Sequence, residues 1–142
     1  MSNDIDGVEV ANEELYAAFE AGDLDRMTAL WVGGADGVMA RCVHPGGGFI
    51  RGVDAVLRSW ALVMANADDL QFIVTDVESV VQGQMATVTC TEIILRPGGG
   101  LDPFTSSQAV ATNGFIRVSD QWRMWLHHAS PVMSDSGRGD DE

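Results

Sequence analysis

The sequence predicts an α+β fold in which three amino-terminal helices pack on a strongly curved, mostly antiparallel sheet. Three observations carry that expectation. Apolar residues before about residue 65 recur at three- and four-residue spacing, the period of a helix face. From Leu70 the period changes to two, the mark of strands with one buried side. No alternation of strand and helix follows that would build a parallel sheet.

Val8, Ala11, Leu15, Ala18 and Phe19 fall on one face of a helix over about residues 8–21, and Gly22 ends it. Asp23 then caps a second, short helix whose Leu24, Met27, Leu30 and Trp31 share a face. Gly33, Gly34 and Gly37 close the helical region, and residues 38–44 read as a short strand broken by Pro45 and three glycines. After Gly52 a third helix opens with Asp54 in its first turn, where negative charge favours the helix dipole, and it presents Val56, Trp60 and Val63 or Met64 on one face. Runs 70–82 and 84–96 are strand-rich and flank Gly83, which predicts a hairpin. In the second run Thr87, Thr89 and Thr91 alternate with Val88, Cys90 and Glu92, so one face is threonine and the other largely apolar. A glycine-rich loop at 97–103 leads to a strand over about 106–118, and Ser119-Asp120 turns the chain into a last strand over 121–130. A single domain is expected over residues 8–132, with flexible termini at 1–7 and 133–142.

With 142 residues and 46% hydrophobic side chains, the chain can build one core. Its 8 basic against 21 acidic residues give a formal net charge of −13, which supplies no basic face for nucleic acid or an anionic membrane. No apolar run approaches the roughly 20 residues that cross a bilayer. The acidic start lacks the basic and apolar regions of a signal peptide, so the reading is cytoplasmic. Cys42 and Cys90 stand in apolar, strand-like contexts without paired spacing and read as reduced core thiols. No spacing marks a metal site, and no cofactor is expected. Gly46-Gly47-Gly48 lacks the Lys-Ser or Lys-Thr of a phosphate loop.

The order of elements carries a resemblance when taken with four local motifs. These are the Glu20-Ala21-Gly22-Asp23 turn, the strand ending in His44-Pro45, the Gly52-Val53-Asp54-Ala55-Val56 opening of the third helix, and the closing strand Trp122-Arg123-Met124-Trp125-Leu126-His127-His128-Ala129-Ser130. Together they resemble the nuclear transport factor 2-like, or SnoaL-like, superfamily over nearly all of residues 8–132. The resemblance implies a conical sheet, a pocket closed by the amino-terminal helices, and frequently a homodimer through the outer sheet face. Members include ketosteroid isomerase, polyketide cyclases, dehydratases, dioxygenase small subunits and non-enzymatic scaffold domains, so the fold does not fix the chemistry. The isomerase pattern implies an Asp before the proline, a Tyr in the first helix and an Asp in the penultimate strand. Those positions hold His44, Leu15 with Tyr16 beside it, and Asn113 or Gly114, and all three depart.

His44, an imidazole at a strand end expected to face the pocket, is a candidate general base where relatives use Asp; its structural alternative is to tie down the glycine loop. His127 and His128 lie on opposite faces of the last strand, so only one sees the pocket. Trp125 is expected to share the face of His127, with Met124 and Leu126 on that of His128, which favours His127 as the lining residue. Glu92 is expected as a buried carboxylate with a raised pKa, unless the strand end splays and Arg96 partners it. Phe19, Trp31, Trp60 and Trp125 are candidates to stack on a flat apolar ligand, and Tyr16 or Asn113 to polarise a carbonyl. Three functions stay open: a pocket protein for a small, largely apolar organic molecule; an isomerase, cyclase or dehydratase using His44 or His127; and an interaction module using the threonine face.

Overall fold

The structure, a computed structural model, describes residues 2–98, 101 and 103–133. The acidic run 134–142 lies outside the described residues. Helix α1 (Ser2–Ala21) begins earlier than the apolar spacing predicts, and Asp4 in its first turn pairs with Arg117 at 2.8 Å. Val8, Ala11, Leu15, Ala18 and Phe19 are buried along it, as the three- and four-residue spacing requires. Gly22, at φ +63°, takes the left-handed conformation that ends the helix. Asp23 then caps α2 (Leu24–Leu30) by accepting the backbone N–H of Arg26 at 3.1 Å.

The next stretch departs from the expected strand over 38–44. Gly34–Met39 forms a 3-10 turn, and β1 is only Arg41–Val43. Gly46, at φ +83°, helps reverse the chain so that β2 (Ile50–Arg51) pairs back with Cys42 and Arg41, a strand the sequence pattern does not announce. Helix α3 (Val53–Ala65) follows and buries Val56 and Trp60. The meander is β3 (Gln71–Gln82), β4 (Met85–Pro97), β5 (Phe104–Val118) and β6 (Gln121–Pro131).

These strands form one six-stranded sheet in the order β2-β1-β6-β5-β4-β3. The expectation of a strongly curved sheet is corrected here: the sheet is open, mixed and not strongly curled. It keeps two free edges, and β1 runs parallel to β6. Sharp bending needs bulges, and the central β4–β5 register runs unbroken from Met85↔Ile116 to Pro97↔Phe104.

Among the described residues, the register shifts fall only to either side of that pair. In β3 the register shifts between Thr75 and Glu78, and between β5 and β6 Gly114 pairs with Leu126 while Phe115 pairs with Met124. Trp125 is the extra residue, so the two-residue period of β6 slips by one. Met124 therefore lies buried on the same side as His127, against the simple alternation. Trp125 goes to the other side and covers Gly114, where a Cβ would lie 3.0 Å from its Nε1. Among the described residues no helix is long and apolar enough to cross a membrane.

Candidate functional site

Between α1, α3 and the inner face of β4, β5 and β6 lies a cavity of about 650 Å³. Its space follows from residue size. Aromatic and branched side chains of the helices face inward, but Ala109 on β5 answers them with a single methyl. Leu15, Phe19, Trp60 and Phe72 give the cavity an apolar wall. Phe19 meets Trp60 and Phe72 edge-on at 5.7 and 4.9 Å between ring centroids. Leu62, Arg96 and Val132, all exposed, mark the mouth.

The buried end is polar. His127 is 3% exposed, and its Nδ1 lies 2.6 Å from Oδ1 of Asn113, its direct neighbour across the β5–β6 ladder. Asn113 Nδ2 donates to Asn12 Oδ1 at 2.7 Å, which fixes the orientation of the amide. An amide oxygen only accepts, so Nδ1 of His127 carries the proton and Nε2 keeps a lone pair. Burial, helped by His44 and His128, lowers the pKa of His127 to about 3, so the ring is neutral.

On the β4 side Tyr16 donates its hydroxyl proton to Oε2 of Glu92 at 2.7 Å. Burial raises the Glu92 pKa, and the Tyr16 hydrogen bond opposes that rise. Burial likewise pushes the Tyr16 phenol above its usual range. The partner of Glu92 is thus Tyr16 on α1, and Arg96 stands at the mouth.

His44 follows β1, whose parallel pairing sets Cys42 beside His127. Its ring is 6.3 Å from that of His127 and packs edge-on against Trp60 at 4.6 Å. His44 Nε2 lies 2.9 Å from Ser59 Oγ, and the Ser59 proton goes to the Val56 carbonyl at 2.6 Å. The serine oxygen therefore accepts from His44, which leaves Nδ1 with the lone pair. Burial lowers the pKa of His44. Cys42, whose thiol burial pushes up to about 12, is 3.7 Å from the same ring.

Of the residues singled out in the sequence, Leu15, Tyr16, Phe19, His44, Trp60, Glu92 and His127 line the cavity. Asn113 sits directly behind His127. Trp31 is packed in the core beside Met124, with which it makes a parallel bridge. Trp125 covers Gly114, and His128 lies on the opposite face of β6 with its ring 5.8 Å from that of Phe49. Sequence reasoning missed Asn12 and Ser59. Asn12 left a signal, a polar residue inside the apolar stripe of α1; Ser59 left none.

The comparisons with known proteins agree with this architecture. The SnoaL-like domain matches residues 8–134. The solved structure of a candidate dehydratase of the NTF2-like family from Streptomyces avermitilis is 42% identical, with a TM-score of 0.84 over 94% of this chain and 99% of that one. A candidate calcium/calmodulin-dependent protein kinase type II association domain from Thiobacillus denitrificans is 34% identical, with a TM-score of 0.74 over 88% of this chain and 94% of that one. F-box protein SKIP8 of Arabidopsis thaliana is 29% identical over 124 residues, 87% of this chain, and the chain spans about half of its length (49%). With a family match over most of its length, the chain belongs to the SnoaL-like domain family, within the NTF2-like group of cystatin-like cone folds.

Proposed function

We propose that this chain is a proton-transfer enzyme of the isomerase, cyclase or dehydratase kind, acting on a small, largely apolar molecule, and that elimination of water is the reaction it fits best. The observation that carries the reading is the bond from His127 to Asn113. It holds a neutral imidazole in one tautomer, with the Nε2 lone pair free at the buried end of the cavity. In the elimination, Nε2 takes a proton from carbon next to a carbonyl, and the C–H electron pair becomes the new C=C bond. The C–O bond one carbon further breaks, and the imidazolium returns its proton to the departing oxygen to form water.

The low basicity of His127 acts in two directions over this cycle. It weakens the ring as a base toward the C–H bond, since a general base works best with a pKa near the working pH, and it favours the return of the proton. The resting ring is wholly in its accepting form, and its conjugate acid is a strong donor to the leaving oxygen. The name of the Streptomyces relative supports the same reaction class.

The test is NMR of the protein with a panel of apolar β-hydroxy ketones in D2O. We expect exchange at the α-carbon and formation of the enone, both reduced at least about hundredfold in His127→Gln. Equal rates in that variant, or no exchange across the panel, would overturn the reading.

The reading includes a homodimer. Ile73, Val80, Met85 and Val110 are exposed on the outer sheet face among Thr87, Thr89 and Thr91, which supports self-association there. Light scattering is expected to give twice the chain mass, and a monomer at micromolar concentration would remove this part.

A further inference from the structure

The hydrogen-bond pairing at the inner end of the cavity restricts what it can hold. His127 gives its Nδ1 proton to Asn113 and keeps Nε2 as an acceptor. His44 gives its Nε2 proton to Ser59, whose own proton is spent on Val56, and keeps Nδ1 as an acceptor. Glu92 takes the Tyr16 proton on Oε2, and its Oε1 has no protein partner among the described residues. These are three acceptors on walls contributed by three different strand regions.

At the buried inner end no matching donor stands opposite them among the described residues; Asn66, Ser107 and Gln108, which also line the cavity, are exposed, and the Asn66 amide donates to the Leu62 carbonyl. The Tyr16 proton is committed to Glu92. The Trp60 indole N–H is buried away from the cavity surface. The Asn113 amide faces Asn12. The one arginine lining the cavity, Arg96, is exposed at the mouth. A carboxylate or phosphate pushed to the inner end would meet lone pairs only, and would lose its hydration without compensation. An ammonium ion would lose hydration too, and the one carboxylate it would meet already shares its charge with the Tyr16 hydroxyl.

We infer that the cavity selects a neutral, largely apolar molecule whose inner end carries hydroxyl groups, with two of them donating to His44 Nδ1 and Glu92 Oε1 while His127 Nε2 is left for the reacting C–H bond. This rests on the cavity being the ligand site, as proposed above, and not on turnover, so binding alone reads it.

The experiment is calorimetric or thermal-shift titration with four probes that share one ring system: 1,3-dihydroxynaphthalene, its dimethyl ether, 2-naphthoate and 2-naphthylmethylammonium. The diol is expected to bind at least roughly tenfold more tightly than the ether, since each hydroxyl gains a buried acceptor, and the two charged probes more weakly than the diol. In Glu92→Gln, which keeps shape but turns the free oxygen into an N–H donor, the preference for diol over ether is expected to shrink several-fold while ether binding stays. Equal affinity for diol and ether, tighter binding of either charged probe, or an unchanged preference in Glu92→Gln would overturn the inference. Failure of all four to bind would overturn the reading of the cavity as a ligand site.

Discussion

His127 Nδ1 and Asn113 Oδ1 stand 2.6 Å apart as direct cross-strand neighbours, and the amide is itself held from behind by Asn12. The tautomer of the histidine is therefore set by a residue that does not line the cavity. In Asn113→Leu the Nδ1 proton and Asn12 Oδ1 both lose their partner while buried. We expect the unfolding free energy to fall by about 1–3 kcal/mol or more, measured in urea. Long-range nitrogen NMR should show Nε2 of His127 unprotonated in the native protein and the two tautomers mixed in the variant. A single unchanged tautomer in Asn113→Leu would show that something other than the amide holds the ring.

Burial of His127 also predicts how stability depends on pH. Its folded pKa, about 3, lies below the ordinary histidine value of 6.5, so between the two the unfolded chain binds a proton that the folded chain refuses. Stability thus rises with pH across that window and is unaffected by this group above it. His44, whose pKa is also lowered, acts in the same direction, and His128 faces the ring from the far side of β6. The raised pKa of Glu92 acts in the opposite direction above 4.5. Urea denaturation from pH 4 to 7 should therefore show a loss of stability on acidification that is smaller in His127→Gln. The same slope in both proteins would remove His127 as its source.

Gly114 is where the bulge of β6 becomes a steric requirement. A side chain there would meet Trp125 Nε1 at 3.0 Å and Leu126 Cβ at 3.1 Å. Leu126 is fixed by its ladder pairing with Gly114, and the half-buried Trp125 ring would have to give by a few tenths of an ångström. Gly114→Val is expected to destabilise the fold by about 1–3 kcal/mol through overpacking, with a lower urea midpoint and an unchanged slope. A neutral effect would mean that Trp125 swings clear.

These features differ in how far the sequence displays them. The helix faces, the cap at Asp23, the Gly83 hairpin and the threonine alternation of β4 are local patterns, and a period of 3.6 or two suffices to read them. Alternation also separates His127 from His128. The slip at Trp125 is different, because no glycine or proline marks it within β6 and its cause is the fit to Gly114 across the ladder. The pairing of Asn12 with Asn113 spans 101 residues, and Ser59 meets His44 only because β1 and α3 pack together. The curvature of the sheet is not legible in this way, because it depends on where bulges fall between strands, which no single strand records.

Tyr16 and Glu92 provide the last prediction, in which the sign of the pH dependence decides the matter. The phenol stabilises the carboxylate form of Glu92 and so holds back the rise of its pKa that burial causes. In Tyr16→Phe that restraint is gone, and the folded pKa of Glu92 moves further up. Because a raised carboxyl pKa makes the folded chain bind a proton that the unfolded chain has released, stability is full below the unfolded value near 4.5 and is lost as pH rises through the folded value. The loss therefore extends to higher pH in the variant. The difference between the two proteins should be small near pH 4 and grow to about 1–3 kcal/mol at pH 8. Carboxyl carbon NMR of Glu92 should show the matching upward shift in its midpoint. A difference independent of pH would mean that Tyr16 contributes packing alone and that the carboxyl group is governed by other contacts.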